Sequence, residues 1–214
     1  MVNKAKQRLA IVGAGGHGRV IADLALHAQL FDSVVFFDDN IKPAGISALG
    51  ERVGAFDQIA ARSGLFDQII VGVGDNQTRL QISQHCLSQD LSMATIIHPT
   101  AYVSAHARIG AGSVVFAQSV VNIGSHLGCA VIVNTGAIVE HDAQLADGVH
   151  ICPGAALAGR VSVGSCSCVG IGASVVNGVA IGADSIVGAG AAVTANLPDR
   201  VMAVGVPAKI IRQL

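Results

Sequence analysis

A histidine lies between two carboxylic acids in the middle of the chain, where proton transfer is possible. Glu140, His141 and Asp142 are consecutive, and a carboxylate beside an imidazole fixes its tautomer and raises its basicity. Asn134, seven residues earlier, can orient the same group. We predict that His141 is a general base and that Asp142 is its acidic partner. The alternative is a polar corner with solvated charges, and the spacing alone favours neither.

Charged residues are scarce around this triplet. Residues 97–193 contain six Asp, Glu, Lys or Arg residues, and two of them flank His141. Over the whole chain of 214 residues, 13% of residues are charged, 51% are hydrophobic, and the formal net charge is −1. This composition excludes intrinsic disorder and leaves no basic surface for nucleic acid or for a membrane. We therefore expect a small-molecule ligand.

A six-residue period indicates how His141 is positioned. Each of the 17 positions at six-residue steps from Ile97 to Val193 is Ile, Leu or Val. This pattern is typical of parallel β-helices, in which short strands form a triangular coil and successive coils stack about 4.8 Å apart. Three six-residue sides make a coil, so Gly159 should lie one coil beyond His141. Its N–H is a candidate oxyanion donor, and the alternative is an ordinary corner glycine.

The first 95 residues follow a different pattern, in which short apolar runs alternate with helical segments. The predicted strands are residues 9–12, 34–37, 69–73 and 93–97, and the predicted helices end near 27 and span 78–87. Such alternation is typical of a small parallel sheet. The sequence therefore predicts an α/β domain with a Rossmann-like sheet over residues 1–95, followed by a β-helix with a C-terminal cap over residues 96–214.

A glycine-rich loop follows the first predicted strand. The segment Gly13-Ala14-Gly15-Gly16-His17-Gly18 precedes a helix, and Asp38 and Asp39 follow about 20 residues later. This arrangement predicts a site for the phosphates and ribose of a nucleotide. His17 can add a positive charge at the phosphates, or it can be a helix-start residue facing solvent. An NAD-dependent oxidoreductase would use this loop alone.

The remaining histidines and the cysteines are not spaced as metal ligands. The gaps between His98, His106, His126, His141 and His150 are 8, 20, 15 and 9 residues, so we expect no metal. The five cysteines have no CxxC spacing and fit reduced, mostly buried thiols.

The charged N-terminus has no apolar leader, and no apolar run is long enough to cross a membrane. We expect a cytoplasmic protein.

Five segments, in order along almost the full chain, resemble the sugar acyltransferases of the sialic-acid and bacillosamine pathways. They are Gly-Ala-Gly-Gly-His-Gly, Phe-Asp-Asp-Asn, Gly-Val-Gly-Asp-Asn-Gln-Thr-Arg, Asn-Thr-Gly-Ala-Ile-Val-Glu-His-Asp and Gly-Val-Pro-Ala-Lys. The resemblance is greatest to bacterial N-acetyltransferases of nucleotide-linked 4-amino-4,6-dideoxy sugars, including the perosamine N-acetyltransferases. It implies a left-handed β-helix, acetyl-CoA as co-substrate, and a homotrimer with active sites between subunits.

The resemblance also implies roles for individual residues. His141 matches the general base, and Asp142 matches its acidic neighbour. The residues matching the acetyl-CoA site are His150, Ile171, Gly188 and Ala189, and those matching the nucleotide-sugar site are Gly13, Ala14, Gly15, Asp38, Asp39 and Gly74. UDP, dTDP and GDP all stay open as the carrier. The alternatives are an O-acetyltransferase acting on sialic acid or a related sugar, and a non-catalytic nucleotide-sensing scaffold.

Overall fold

The computed structural model describes residues 7–40 and 46–214. The chain divides after Ala94 into two compact units, whereas the predicted boundary is one residue later. Residues 1–6 and 41–45 of the predicted first domain lie outside the described residues, and residues 1–6 include most of the charged N-terminus. Within the described ranges, none of the helices has the length and apolar character needed to cross a bilayer.

The first unit contains a four-stranded parallel sheet, as predicted, in the order β3-β2-β1-β4. Its elements are β1 (Arg8–Val12), α1 (Gly16–His27), β2 (Ser33–Phe37), β3 (Glu51–Gly54), β4 (Gln68–Val71) and α2 (Asn76–Ser88), with short 3-10 helices at Phe56–Gln58 and Ala60–Leu65. The apolar strand β1 is central, with Ile11 opposite Phe36 and Ile70. Because the strands are parallel, the loops after β1, β2 and β4 leave the same edge of the sheet.

Two details of the first unit differ from the prediction. Strand β3 was not predicted, because Glu51 and Arg52 interrupt the apolar pattern at this edge of the sheet. The predicted strand over residues 93–97 is divided. Met93 forms a single bridge to Ile69, and Ile96–Ile97 is a strand of the second unit.

The second unit is a left-handed parallel β-helix with three faces, as predicted. The first face consists of β5 (Ile96–Ile97), β8 (Val114–Val115), β11 (Ile132–Val133), β14 (His150–Ile151), β17 (Cys168–Val169), β20 (Ile186–Val187), β22 (Val201–Val204) and β23 (Lys209–Gln213). The second consists of β6 (Tyr102–Val103), β9 (Val120–Val121), β12 (Ile138–Val139), β15 (Ala156–Leu157), β18 (Ser174–Val175) and β21 (Ala192–Val193). The third consists of β7 (Arg108–Ile109), β10 (His126–Leu127), β13 (Gln144–Leu145), β16 (Ser162–Val163) and β19 (Ala180–Ile181).

The aliphatic residues at six-residue steps form the core of this β-helix. All 14 of them from Val115 to Val193 are buried, and burial of each side chain contributes roughly 1.5–3 kcal/mol. Ile97, Val103 and Ile109 are more exposed, because the first coil has a neighbouring coil on one side only. After the last coil, β22 pairs in parallel with β20, and β23 pairs antiparallel with β22.

Five of the six charged residues in the range 97–193 lie at corners between faces, and the sixth, Arg108, lies on β7. We call residues 134–136, 152–154, 170–172 and 188–190, which follow strands of the first face, the first corner. Residues 122–124, 140–142, 158–160 and 176–178, which follow strands of the second face, form the second corner. The candidate residues of the β-helix are distributed over these two corners and the first face.

Candidate active site

His141 and Asp142 form the predicted pair at the second corner. His141 Nδ1 lies 2.8 Å from Asp142 Oδ2, and their side chains are 43% and 59% exposed. A carboxylate accepts hydrogen bonds only, so Nδ1 carries the proton and Nε2 presents its lone pair. Asp142 has a φ of 60°, a conformation that Asp tolerates better than most residues. This corner geometry lets two consecutive side chains meet, which the alternating directions of a strand prevent.

Gly159 lies against the His141 imidazole, one coil along the stack. A Cβ on Gly159 would be 2.4 Å from Nε2 and 2.5 Å from Cε1 of His141, so any other residue would displace the ring. The backbone continues the contact, since Arg160 N donates to His141 O at 2.9 Å. No hydrogen bond from the Gly159 N–H to a described residue is present. The predicted oxyanion donor therefore stays a prediction, and the structure adds a positioning role for this glycine.

Residues of the preceding coil contact the two acids that flank His141. Asn122 Nδ2 donates to Glu140 Oε2 at 2.9 Å, and the His141 N–H donates to the same oxygen at 3.4 Å. A Cβ on Gly124 would be 2.3 Å from Asp142 Oδ1, so a glycine admits this carboxylate as well. Asn122 and Gly124 are 18 residues before Glu140 and Asp142. The sequence prediction missed both residues, although the 18-residue coil length that pointed to Gly159 also identifies them.

Asn134 is not placed where it was expected. Its side-chain NH₂ donates to His150 Nε2 at 3.0 Å, and its Oδ1 accepts from Thr135 N at 2.8 Å. The expectation that Asn134 orients His141 is therefore wrong within one chain. The reason is that Asn134 follows β11 at the first corner, whereas His141 follows β12 at the second corner. Asn134 orients His150 instead.

The residues implied for acetyl-CoA lie on the first face and its corner. His150 begins β14 and is half-buried. Ile171 is 60% exposed, and the Gly190 N–H donates to Ile171 O at 2.8 Å. Gly188 and Ala189 follow β20, one coil beyond Gly170 and Ile171. The four residues implied for acetyl-CoA thus lie along one edge of the β-helix, and Ile171 presents an exposed apolar side chain between the others.

Two thiols lie beside His150, one from Cys168 on the first face and one from Cys152 at the first corner. Cys168 is directly opposite His150 in the pairing of β14 with β17, and Cys152 Sγ lies 3.4 Å from Cys168 Sγ. The hydrogen bond with Cys168 and burial together raise the pKa of the Cys152 thiol above its ordinary value. One ligand atom from each of the three residues lies within 4.8 Å of the other two. The sequence prediction of no metal missed this convergence, because Cys152 and Cys168 are 16 residues apart.

In the first unit, the glycine loop and the acidic pair lie together at one edge of the sheet. The Ala14 N–H donates to Asp38 Oδ2 at 2.6 Å, and Asp39 Oδ1 accepts from Phe56 N at 3.1 Å. A cavity of about 240 Å³ at this sheet edge is lined by Val12, Gly13, Phe37, Asp38, Asp39, Phe56, Val73, Thr78 and Ile82. Gly15 caps the N-terminus of α1, where there is no acidic side chain in the first turn. The backbone N–H groups at a helix start favour an anion.

The expected positive charge at this loop comes from another residue. Burial, with a smaller contribution from the positive charge of Arg79, lowers the pKa of His17 from 6.5 to about 4. His17 is therefore neutral at pH 7, and the prediction that it can add a charge at the phosphates is wrong. The cation is Arg79, which is 1% exposed and donates to the carbonyl oxygens of Val73 and Gly74 at 3.3 and 3.2 Å. Gly74 is thus part of the loop that Arg79 holds.

The comparisons with known proteins match both units. Residues 8–86 match the family model described as the PglD N-terminal domain. A curated relative, the UDP-N-acetylbacillosamine N-acetyltransferase of Bacillus subtilis (strain 168), is 39% identical over 114 residues, which is 52% of this chain and 52% of the relative. The match therefore spans about half the length of that curated relative.

Solved structures are similar over almost the full chain. The acetyltransferase domain of PglB from Neisseria gonorrhoeae, in complex with acetyl coenzyme A, is 38% identical with a TM-score of 0.92, covering 97% of this chain and 100% of that chain. A perosamine N-acetyltransferase from Caulobacter crescentus, in complex with CoA and GDP-perosamine, is 38% identical with a TM-score of 0.89, covering 96% and 97%. That second structure is of a variant in which a histidine is replaced by asparagine.

Proposed function

Because the chain belongs to the family of sugar N-acetyltransferases that includes these proteins, as the sequence resemblance predicted, we propose that it acetylates a nucleotide-linked amino sugar with acetyl-CoA. The proposed acceptor is the 4-amino group of a 4-amino-4,6-dideoxy sugar, either GDP-perosamine or a UDP or dTDP analogue. The observation that carries the proposal is the His141 imidazole, whose Nδ1 proton is held by Asp142 and whose Nε2 is left as the base.

In the proposed reaction, the amine nitrogen attacks the thioester carbonyl while His141 Nε2 accepts the N–H proton. The tetrahedral intermediate collapses with cleavage of the C–S bond, and the imidazolium returns the proton to the departing CoA sulfur. No covalent acyl-enzyme forms. The Asp142 carboxylate stabilises the imidazolium, and the Gly159 N–H is the proposed donor to the oxyanion.

The first unit is proposed to bind the nucleotide part of the acceptor. Gly15 caps α1, whose first-turn backbone N–H groups favour a diphosphate. Gly13 and Ala14 shape the loop before it, because their own N–H groups donate to Phe37 O and Asp38 Oδ2. Asp38 and Asp39 line the cavity of about 240 Å³ at the same sheet edge, which suits a ribose or base. The Arg79 cation adds a favourable potential for an anion without contacting it directly, because its side chain is buried.

A homotrimer with active sites between subunits is proposed for the assembled protein. His141 lies at the second corner, whereas His150, Ile171, Gly188 and Ala189 follow the first face. A six-residue side of the coil spans up to about 20 Å, which is too far for one acetyl thioester to contact both corners at its reactive end. A neighbouring copy that presents its first corner to the second corner of this chain would complete the site.

Replacement of His141 by Asn tests the proposed base. We expect turnover to fall by about 10² to 10⁴, with an unchanged circular dichroism spectrum and melting temperature. The measurement is loss of the acetyl-CoA thioester with GDP-, UDP- and dTDP-linked 4-amino sugars and with sialic acid as acceptors. Acetylation at near wild-type rate by the variant would contradict the role of His141.

The acceptor series also separates the alternatives. Transfer to sialic acid but to none of the amino sugars would identify an O-acetyltransferase instead. Binding of a nucleotide sugar without consumption of the thioester would identify a sensing scaffold, and a melting-temperature shift with NAD(H) alone would identify a dinucleotide enzyme.

A cytoplasmic location is proposed as well. All five cysteines are thiols, and the cytosol is the compartment that keeps thiols reduced.

A further inference from the structure

His150, Cys152 and Cys168 form a cluster on the first face and the first corner, and the two thiols take no part in the proposed acetyl transfer. All three side chains are half-buried, so an ion can reach them from solvent while the surrounding wall excludes part of the water. Their candidate ligand atoms lie within 4.8 Å of one another, and the two sulfur atoms are 3.4 Å apart. The cluster therefore has the dimensions of a single-ion site.

The donor types select the ion. Two cysteine sulfurs and one imidazole nitrogen are the ligands of a soft or borderline cation, and oxygen-preferring cations such as Mg²⁺ are disfavoured. In tetrahedral zinc sites the Zn–S distance is about 2.3 Å, which places two sulfur ligands about 3.8 Å apart. The observed separation of 3.4 Å needs to widen by only a few tenths of an ångström. Three protein ligands leave a fourth position open, as in zinc sites that bind water or an exogenous ligand.

The rest of the site favours a defined geometry. Pairing of β14 with β17 fixes His150 opposite Cys168. An imidazole nitrogen binds the ion in place of the hydrogen bond that Nε2 accepts from Asn134. The ladder of backbone hydrogen bonds runs through the cluster, with the His150 N–H donating to Ser167 O at 3.0 Å. Two of the three ligand residues thus start from a rigid scaffold, which lowers the cost of ordering them around an ion.

We propose that His150, Cys152 and Cys168 bind one thiophilic divalent cation of the Zn²⁺ type, and that the bound cation excludes acetyl-CoA. The exclusion of acetyl-CoA rests on the proposed function, in which His150 belongs to the acetyl-CoA site that the sequence resemblance implies. The cation has no role in acetyl transfer itself. It is an inhibitory ligand whose site overlaps that of the co-substrate.

A titration of untagged, reduced protein with Cd²⁺ tests the site independently of activity. Binding to thiolates produces ultraviolet ligand-to-metal absorption, and Zn²⁺ competes for the same site. We expect saturation at one equivalent in the wild type and in the matched control Cys129→Ser, whose half-buried thiol lies outside the cluster. Cys152→Ser and Cys168→Ser should each weaken binding about tenfold or more. No absorption in the wild type, or equal binding by Cys152→Ser, would overturn the proposal.

The competition is tested by titrating acetyl-CoA into the protein by calorimetry, with and without saturating Zn²⁺. We expect Zn²⁺ to weaken acetyl-CoA binding about tenfold or more in the wild type and in Cys129→Ser, with recovery on chelation, and to have no effect on Cys168→Ser. Simultaneous binding of Zn²⁺ and acetyl-CoA with unchanged affinities would overturn the inhibitory part. If Cd²⁺ binds at the cysteines while no acceptor is acetylated, the proposed function fails and the cation site stands.

Discussion

Two neighbouring residues, Asp142 and Gly159, determine the position of the His141 side chain. Asp142 holds the Nδ1 proton at 2.8 Å, and Gly159 gives the ring its space on the Nε2 side. The first contact sets the tautomer, and the second sets the position of the basic nitrogen. A ring whose side chain is 43% exposed has few other contacts to keep it in place. The proposed chemistry therefore depends on a residue that has no side chain.

Substitution of Gly159 by Ala tests this positioning role. The new methyl group would stand 2.4 Å from Nε2, so the imidazole must rotate away, which its exposure allows at little cost in stability. We expect kcat to fall by up to about 10²-fold, with a nearly unchanged melting temperature and a smaller change in the KM for acetyl-CoA. In the His141→Asn background the same substitution should have no further effect on the rate.

Gly164→Ala is the matched control for stability. A Cβ at Gly164 would stand 2.4 Å from the backbone nitrogen of Ala183, which cannot rotate away, so we expect a lower melting temperature. If Gly159→Ala lowered the melting temperature as much as Gly164→Ala and left kcat unchanged, the glycine would be structural only.

At the level of elements, the loop after β4 and the start of α2 share a buried cation. Arg79 donates to the carbonyl oxygens of Val73 and Gly74, and its guanidinium Nη2 also donates to Asn76 Oδ1 at 2.9 Å. His17, on α1, is kept neutral by burial and by this charge. Burial, with a smaller contribution from the Arg79 charge, thus keeps the histidine on α1 neutral.

This arrangement predicts acid sensitivity in the first unit. The pKa of His17 is about 4 in the folded protein and 6.5 when unfolded, so below pH 6.5 the unfolded chain binds a proton that the fold resists. The free energy of unfolding should decline as the pH falls from 6.5 to about 4, by roughly 3 kcal/mol for this group. His17→Asn should remove this part of the decline in urea-unfolding curves. His27→Asn, at an exposed position on the same helix, should retain it.

The sequence predicted the elements better than the contacts between corners. The aliphatic period identified the β-helix, its stacking and the place of Gly159, because each of these depends on a fixed offset along the chain. The contacts of Asn134 with His150 and of Cys152 with Cys168 were not predicted, because they join residues 16 apart around a corner and the six-residue period does not reveal them. His17 was misjudged for another reason. Its charge depends on burial beside Arg79, which neither loop spacing nor composition records.

For the whole molecule, the separation of the candidate residues over two corners predicts complementation between inactive variants. In the proposed trimer each site takes His141 from one copy and His150 from the next. Random mixing of His141→Asn and His150→Ala chains therefore makes about one site in four intact. We expect coexpressed variants to recover roughly a quarter of wild-type activity per site, although each variant alone is nearly inactive. Sedimentation of the mixture confirms the trimer, and an inactive mixed trimer would contradict shared sites.

The stacking of coils restricts how the length of such a protein can change during evolution. Loss of a single residue between His141 and Gly159 would turn the following inward aliphatic residues outward and move the glycine from beneath the imidazole. Loss or duplication of a complete coil keeps every ladder in phase and changes only the number of repeats. Tolerated insertions and deletions in the wall should therefore come in multiples of one coil, with the coils on either side of His141 excluded.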